Sequence, residues 1–238
     1  MTSELKTDQK TYTLESDKYV CNKFGLAEFF AKNYKELPLK KKLEILDVGC
    51  GVFPLGIFLC EQEDCNVTGI DINKIAIDCA CKNIEKYHLE NKANAIWFDF
   101  SVFTKNYEGK QFDLIISNPP IDTKISAQEI AKFSNESFDK LNDEKYSFLT
   151  NSYHSKIGKD LCDYIFEFAE KNLAKDGKIV LVFCMFDSDD NDYILQKAKQ
   201  FNFQDEVSVD GYISGKDIGI QSLYETQIHT KITCFKRL

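Results

Sequence analysis

Between Leu43 and Cys184 the chain alternates short apolar runs with stretches whose apolar residues recur every three or four positions. The short runs are Leu43 to Val48 (LEILDV), Asn66 to Ile70, Asn94 to Phe98, Phe112 to Ser117 (FDLIIS) and Lys178 to Cys184 (KIVLVFC). Each has the length of a strand, and the last is apolar without a break, as in a strand buried on both faces. Helical spacing begins at Leu55, spans Lys74 to His88, and returns over Asp160 to Leu173 and Asp192 to Phe201. Near the end, Glu206 to Gly211 and Thr230 to Lys236 read as two closing strands with no clear helix between them.

Strands separated by helices predict an α/β fold: a doubly wound, Rossmann-like and mainly parallel sheet with helices on both faces. The closing pair predicts an antiparallel hairpin at one edge. Ahead of the sheet, Tyr19 to Tyr34 predicts a short extended piece and then an amphipathic helix, with Leu26, Phe29 and Phe30 on one face. Residues 1–18 are expected to be disordered or extended, and 19–238 to form a single domain. The segment Asp122 to Lys159 breaks the rhythm. Long, polar and partly helical, it is expected to be a lid-like insertion over the site.

Composition narrows the partners. A chain of 238 residues, 43% hydrophobic and 29% charged, suits one α/β domain with a large core. No window approaches the ~20 apolar residues of a membrane span, and the polar N-terminus shows no signal-peptide core, so a cytoplasmic protein is expected. Acidic residues outnumber basic ones 38 to 30, for a net charge of −8. Affinity for nucleic acid rests largely on Lys and Arg neutralising phosphates, so a small-molecule substrate is favoured and nucleic acid is not. The oligomeric state is not set by the sequence. Nine cysteines in odd number, with no C-x-x-C pair, read as reduced thiols rather than disulfides or a zinc site. His88 and His229 have no ligand spacing, and no metal is expected.

The candidate chemistry lies at the ends of the first four strands. Leu46-Asp-Val-Gly-Cys-Gly-Val-Phe-Pro-Leu-Gly56 follows the first strand and opens a helix. Gly49 and Gly51 let the backbone approach a ligand closely. The turn continues as Val52, Phe53 and Pro54 rather than as the G-x-G-x-x-G of dinucleotide sites, and its bulk is expected to leave little room for a pyrophosphate. Asp47 is poorly placed beside a diphosphate but well placed beside an ammonium. The second strand ends in Gly69-Ile-Asp-Ile-Asn73, where Asp71 can accept from two ribose hydroxyls, Ile72 can lie under an adenine, and Asp71 or Asn73 can cap the next helix. The third ends in Trp97-Phe98-Asp99-Phe100, where Asp99 can accept an adenine amino group and Phe100 is counted beside it. Three acids at three successive strand ends suit S-adenosyl-L-methionine, a nucleoside with a cationic tail.

With LDVGCG (46–51), GIDIN (69–73), the Asp99 step and FDLIISNPPI (112–121), the chain resembles the class I S-adenosylmethionine-dependent methyltransferases. It is most similar to the "methyltransferase small domain" group marked by N-P-P after the fourth strand. The resemblance spans roughly residues 19 to 236. It implies a seven-stranded sheet in the order 3-2-1-4-5-7-6, with Asp47, Gly49 and Gly51 in the methionine-binding motif. It further implies Asp71 on the ribose, Asp99 on the adenine, and Asn118-Pro119-Pro120 as the catalytic loop. The chain departs from the pattern at Phe53-Pro54 and at Ile121, where many nitrogen methyltransferases carry an aromatic residue.

The turn itself suggests a mechanism. The Asn118 side-chain carbonyl and the Pro119 backbone carbonyl can both accept from one amino group and aim its lone pair at a sulfonium methyl. Orientation alone can supply ~7–11 kcal/mol. Tyr153, beside His154, is a weaker catalytic candidate, and Tyr19, Phe24 and Ile121 are weaker substrate contacts. The expected function is nitrogen methylation of a small molecule or protein amide, as only about 42 residues precede the first strand, too few for a recognition domain. Three alternatives remain: a nucleobase acceptor, cyclisation of S-adenosylmethionine to azetidine-2-carboxylate and methylthioadenosine, or a non-catalytic cofactor-binding subunit.

Overall fold

The computed structural model describes residues 1–18, 20, 22–40, 42–119, 155–185, 188–218 and 224–238. The chain opens with an antiparallel hairpin of β1 (Thr2–Lys6) and β2 (Thr11–Glu15), where disorder or an extended tail was expected. Leu5, Tyr12 and Leu14 are its anchors, all fully buried. Leu14 follows Tyr12 by two positions, so both rings and methyls leave one face of the ribbon together. That alternation was legible, but three apolar residues among polar ones carry little weight until something is found for them to pack on. Here it is a pair of helices, α1 (Gly25–Asn33) and, beyond the first sheet strands, α3 (Lys74–Lys86).

The sheet proper runs through β3 (Leu43–Val48), β4 (Cys65–Asp71), β5 (Ala93–Trp97), β6 (Phe112–Ser117), β7 (Leu173–Cys184), β8 (Phe203–Ser214) and β9 (Gln227–Arg237). Its spatial order is β5-β4-β3-β6-β7-β9-β8. Counted from β3 as the first strand, that is 3-2-1-4-5-7-6, as the resemblance implied. Strands β5 to β7 are parallel neighbours, and β9 runs antiparallel between β7 and β8, giving the edge hairpin read from the sequence.

Helices α1, α2 (Pro54–Gln62) and α3 cover one face of the sheet. The other is covered by α4 (Phe100–Asn106), α5 (Ser155–Asn172) and α6 (Ser188–Gln200), with a short α7 (Gly215–Ile218) before β9. With both faces covered, the central strands cannot alternate: Ile45, Leu46, Val48, Leu114, Ile115 and Ile116 are all buried. On α5, Cys162, Ile165, Phe166 and Ala169 form a fully buried stripe at helical spacing. β7 begins at Leu173, earlier than Lys178, and its register against β6 shifts between Phe112 and Leu114 to absorb the polar Lys175-Asp176-Gly177 stretch. Among the described residues no helix is long and apolar enough to cross a membrane. The expected lid lies outside the described residues up to 154, and its last five residues begin α5.

Candidate active site

Strand register assembles the site. Val48 pairs with Ile70 on one side and Ser117 on the other, and Asp71 pairs with Trp97. Gly49, Asp71, Trp97 and Asn118 therefore leave four adjacent strands at the same, carboxyl edge, where open α/β sheets bind their ligands. Ser117 ties two of these ends together, its hydroxyl donating to the Val48 carbonyl at 2.7 Å.

In the glycine turn, Gly49 and Gly51 adopt φ of +71° and +55°. A Cβ on either would meet nothing within 4 Å. Glycine is thus required by the left-handed backbone, and the space before it is open to a ligand. The turn's amides are already committed: those of Gly49 and Cys50 donate to the Ile70 carbonyl at 2.8 and 3.1 Å, and that of Gly51 to Asp71 Oδ2 at 2.9 Å. A pyrophosphate nest needs such amides free, so this turn is unsuited to a diphosphate. The bulk of the turn is not the reason. Phe53 is fully buried, and its ring is wedged where a Cβ on Gly56 or Gly69 would lie 2.2 or 2.6 Å from ring atoms. It holds φ +75°, an uncommon conformation for a bulky residue, and Pro54 at the first turn of α2 accepts the fixed entry angle.

Asp47 is 1% exposed, and its Oδ2 has no hydrogen-bond partner among the described residues. Burial, and then the Asp71 carboxylate, push its pKa up to about 8. A buried carboxyl with an unpaired oxygen is a site built for a cation. The α-ammonium of an amino-acid tail fits it. The neighbouring Cys50 thiol is held well above its ordinary value by burial and by both carboxylates, so it stays protonated and offers no nucleophile.

Asp71 does double work. Its Oδ1 accepts from the Asn73 amide at 2.8 Å and its Oδ2 from Gly51. Burial raises its pKa, and the amides of Asn73, Gly51 and Ile72 oppose that rise. It is partly buried, and each carboxylate oxygen has a second lone pair of the kind a ribose hydroxyl can use. Capping of α3 falls to Asn73, whose Oδ1 accepts from the Ile75 amide at 3.0 Å. Ile72 is 56% exposed, an apolar surface next to Asp71. Asp99 caps α4 through Oδ1, which accepts from the Ser101 amide and hydroxyl, while Oδ2 accepts no bond among the described residues. Phe100 does not join the site: its ring is buried, stacked on Phe103 at 6.0 Å and tilted against Phe168 at 5.5 Å. Periodicity could not separate it from Phe98, because α4 begins at Phe100 and turns it inward.

Asn118 is exposed at the end of β6 and Pro119 is buried behind it. Phe24, expected near the acceptor, is a buried core residue at the start of α1. Tyr19, Pro120, Ile121 and Tyr153 lie outside the described residues. Two residues went unread in the sequence. Trp97 is 57% exposed, and its indole N–H donates to the Ile72 carbonyl at 2.8 Å, extending the exposed apolar surface from Ile72. Asn83 is fully buried beneath the glycine turn and donates to the Val52 carbonyl at 2.9 Å. An Asn on an otherwise apolar helix face was the one signal that could have found it.

A doubly wound sheet carrying a glycine turn, three strand-end acids and N-P at its carboxyl edge defines a class I S-adenosylmethionine-dependent methyltransferase fold. The comparisons agree: a family model described as "Methyltransferase small domain" matches residues 27–144, just under half of the chain. A bifunctional methyltransferase of Rickettsia felis is 29% identical over 197 residues, 81% of this chain and 31% of the relative. A tRNA1(Val) (adenine(37)-N6)-methyltransferase of a Flavobacteriaceae bacterium is 36% identical over 77 residues, 32% of each chain. The release factor glutamine methyltransferase of Salmonella typhimurium is 37% identical over 96 residues, 39% of this chain and 31% of the relative. The chain thus spans about a third of the length of these relatives. The crystal structure of a methyltransferase from Pyrococcus furiosus shares the fold, with a TM-score of 0.59 at 16% identity over 94% of this chain and 89% of that one.

Proposed function

We propose that this protein methylates a planar amino group, the –NH2 of an amide or of a nucleobase, and that Asn118 and Pro119 hold it. The single observation carrying this reading is the placement of Asn118, exposed one residue beyond Ser117 and next to the open glycine turn. Bound S-adenosylmethionine supplies a methyl group on a cationic sulfur. Asp47 pairs with the ammonium of its amino-acid tail, Asp71 accepts from the ribose, and Asp99 Oδ2 accepts from the adenine amino group. The Asn118 side-chain oxygen and the Pro119 carbonyl accept the two N–H bonds of the acceptor, so its lone pair points at the methyl carbon. The amine becomes strongly acidic once methylated, so loss of its proton after transfer needs no strong base.

A protein amide is the first choice of acceptor. The net charge of −8 works against the phosphate contacts on which RNA affinity depends, and one relative is a release factor glutamine methyltransferase. The nucleobase reading is favoured by the likeness to a tRNA adenine-N6 methyltransferase. Of the acceptors expected from the sequence, a small molecule, a protein amide or a nucleobase, these relatives favour the two carried by macromolecules. The test is methyl-labelled cofactor with a cell extract as acceptor, followed by protease or ribonuclease. Protease-sensitive label is expected. Ribonuclease-sensitive label would move the acceptor to RNA, and labelled methylthioadenosine released from cofactor alone, with no label on protein or RNA, would replace methyl transfer by cyclisation.

A further inference from the structure

The N-terminal hairpin is joined to the cofactor turn through one side chain. Asn83, on the buried face of α3, makes three hydrogen bonds with its amide. Its Oδ1 accepts from the Glu15 amide at 2.6 Å, and its Nδ2 donates to the Glu15 carbonyl at 3.0 Å and to the Val52 carbonyl at 2.9 Å. Val52 follows Gly51, whose own amide is held by Asp71. The two peptides that flank this residue pair are therefore pinned, Cys50–Gly51 by β4 and Val52–Phe53 by α3. The pin on the α3 side is itself fixed by β2.

We propose that Asn83 is a positioning residue for cofactor binding, and that the hairpin is part of the support of the cofactor site. An Asn side chain has one carbonyl and two N–H donors, and here the carbonyl and amide nitrogen face three backbone groups in a fully buried place. A buried amide in this position has no competing water, so its geometry is set by its partners. Glu15 fixes the side-chain plane through two bonds, and that plane directs Nδ2 at Val52. The left-handed Gly51 beside Val52 has no side chain to hold it in place, so its position depends on neighbours at both ends. Tyr87, one turn further along α3, repeats the link, its hydroxyl accepting from the Thr13 amide at 2.9 Å and donating to the Thr13 carbonyl at 3.2 Å. The helix thus grips alternate residues of β2. Because the coupling of two sites is reciprocal, cofactor bound at the turn must in turn stabilise the hairpin.

The inference rests on the glycine turn as the cofactor site. Glu15→Pro removes the N–H that orients Asn83, along with the surface ion pair of Glu15 with Lys86 at 3.2 Å, and leaves the turn itself unaltered, and Asn83→Leu removes all three bonds at similar volume. Calorimetry with S-adenosylhomocysteine on folded protein should show Asn83→Leu weakening binding about tenfold, the loss of a buried hydrogen bond or so, and Glu15→Pro weakening it less but in the same direction. KM for the cofactor should rise while kcat at saturation stays within about twofold, since no interaction unique to the transition state is lost. Hydrogen exchange on the wild-type protein supplies a reading independent of any variant: ligand should slow exchange of the Glu15 amide along with that of the turn. Unchanged affinity in folded variants, or a Glu15 amide indifferent to ligand, would overturn the coupling alone. Failure of the wild type to bind the ligand would overturn the cofactor site as well.

Discussion

Asp71 Oδ2 accepts a 2.9 Å hydrogen bond from the backbone amide of Gly51. The residue proposed to hold the ribose therefore also holds the glycine turn, and the ends of β3 and β4 form a single hydrogen-bonded unit.

Asp71→Ala should then cost more than a ribose contact. Two backbone donors, Gly51 and Asn73, lose their acceptor along with the ligand. Cofactor affinity is expected to fall by ~1–3 kcal/mol, and the ligand-free protein to lose about 1 kcal/mol of stability, since water can to some extent replace a partly buried acceptor. Isothermal calorimetry and denaturant melts measure the two. A variant that lost affinity with no change in stability would mean that the Gly51 bond contributes nothing to the turn.

The charge state of Asp47 makes binding depend on pH. Its folded pKa, about 8, lies above the unfolded carboxyl value. A raised pKa gives a contribution to stability that is complete below the unfolded pKa and is lost as pH rises through the folded one. The ligand-free protein should therefore weaken between roughly pH 4 and pH 8. Asp47→Asn should flatten that slope, gaining stability at pH 8.5 relative to pH 5, while cofactor binding drops sharply. In the wild type the bound ammonium favours the carboxylate, so binding near pH 6.5 should release close to one proton, seen as a buffer-dependent heat. Proton uptake, or no exchange at all, would contradict an ammonium at Asp47.

Asn118→Ala separates binding from turnover. The role proposed for it is to hold the acceptor, apart from the residues proposed to hold the cofactor. Loss of orientation at the reacting atoms is expected to lower kcat by about 100-fold, with cofactor affinity changed by less than about threefold, under 1 kcal/mol. Equal loss of affinity and rate would reassign Asn118 to cofactor binding.

The packing of Phe53 is open to a cleaner test. A Cβ on Gly69 would lie 2.6 Å from Phe53 Cε2 and 2.8 Å from Cys50 Sγ, in a place with no exposure. Gly69→Ala should destabilise the protein by ~1–3 kcal/mol through overpacking. Combining it with Phe53→Leu should recover part of that loss, because residues in contact couple. Thermal melts of the two single variants and the double variant give the coupling, and strict additivity would show that the ring does not rest on Gly69.

Much of this site is local in sequence and was readable there. The run FDLIISNPP places Asn118 at a strand end whatever the rest of the chain does, and GIDIN does the same for Asp71. What each acid does besides facing a ligand was not readable. Asp99 and Asn73 are both residues that cap helices, and only the observed Asp71 bonds show that Asn73 takes the cap while Asp71 stays with the turn. Phe98 and Phe100 differ by two positions and belong to opposite environments, exposed and core, since a helix starts between them. The hairpin was missed because its three anchors are meaningful only against helices supplied later in the chain.

The sheet order was implied by the family resemblance, whereas the sequence by itself determined the alternation of strands and helices from Leu43 onward and the identity of the residues at the carboxyl edge. These follow from apolar periodicity and short turn motifs, which are properties of neighbouring residues. Tertiary structure decided the rest: that the turn amides are already bonded to β4, that the Phe53 ring lies in the core, that Asp47 holds its proton to about pH 8, and that Asn83 reaches the hairpin. Each depends on burial or on a partner some 20 to 70 residues away, as Gly51 is from Asp71 and Glu15 from Asn83. No local pattern encodes such a partner, because desolvation and hydrogen-bond geometry exist only once the layers have closed over the sheet.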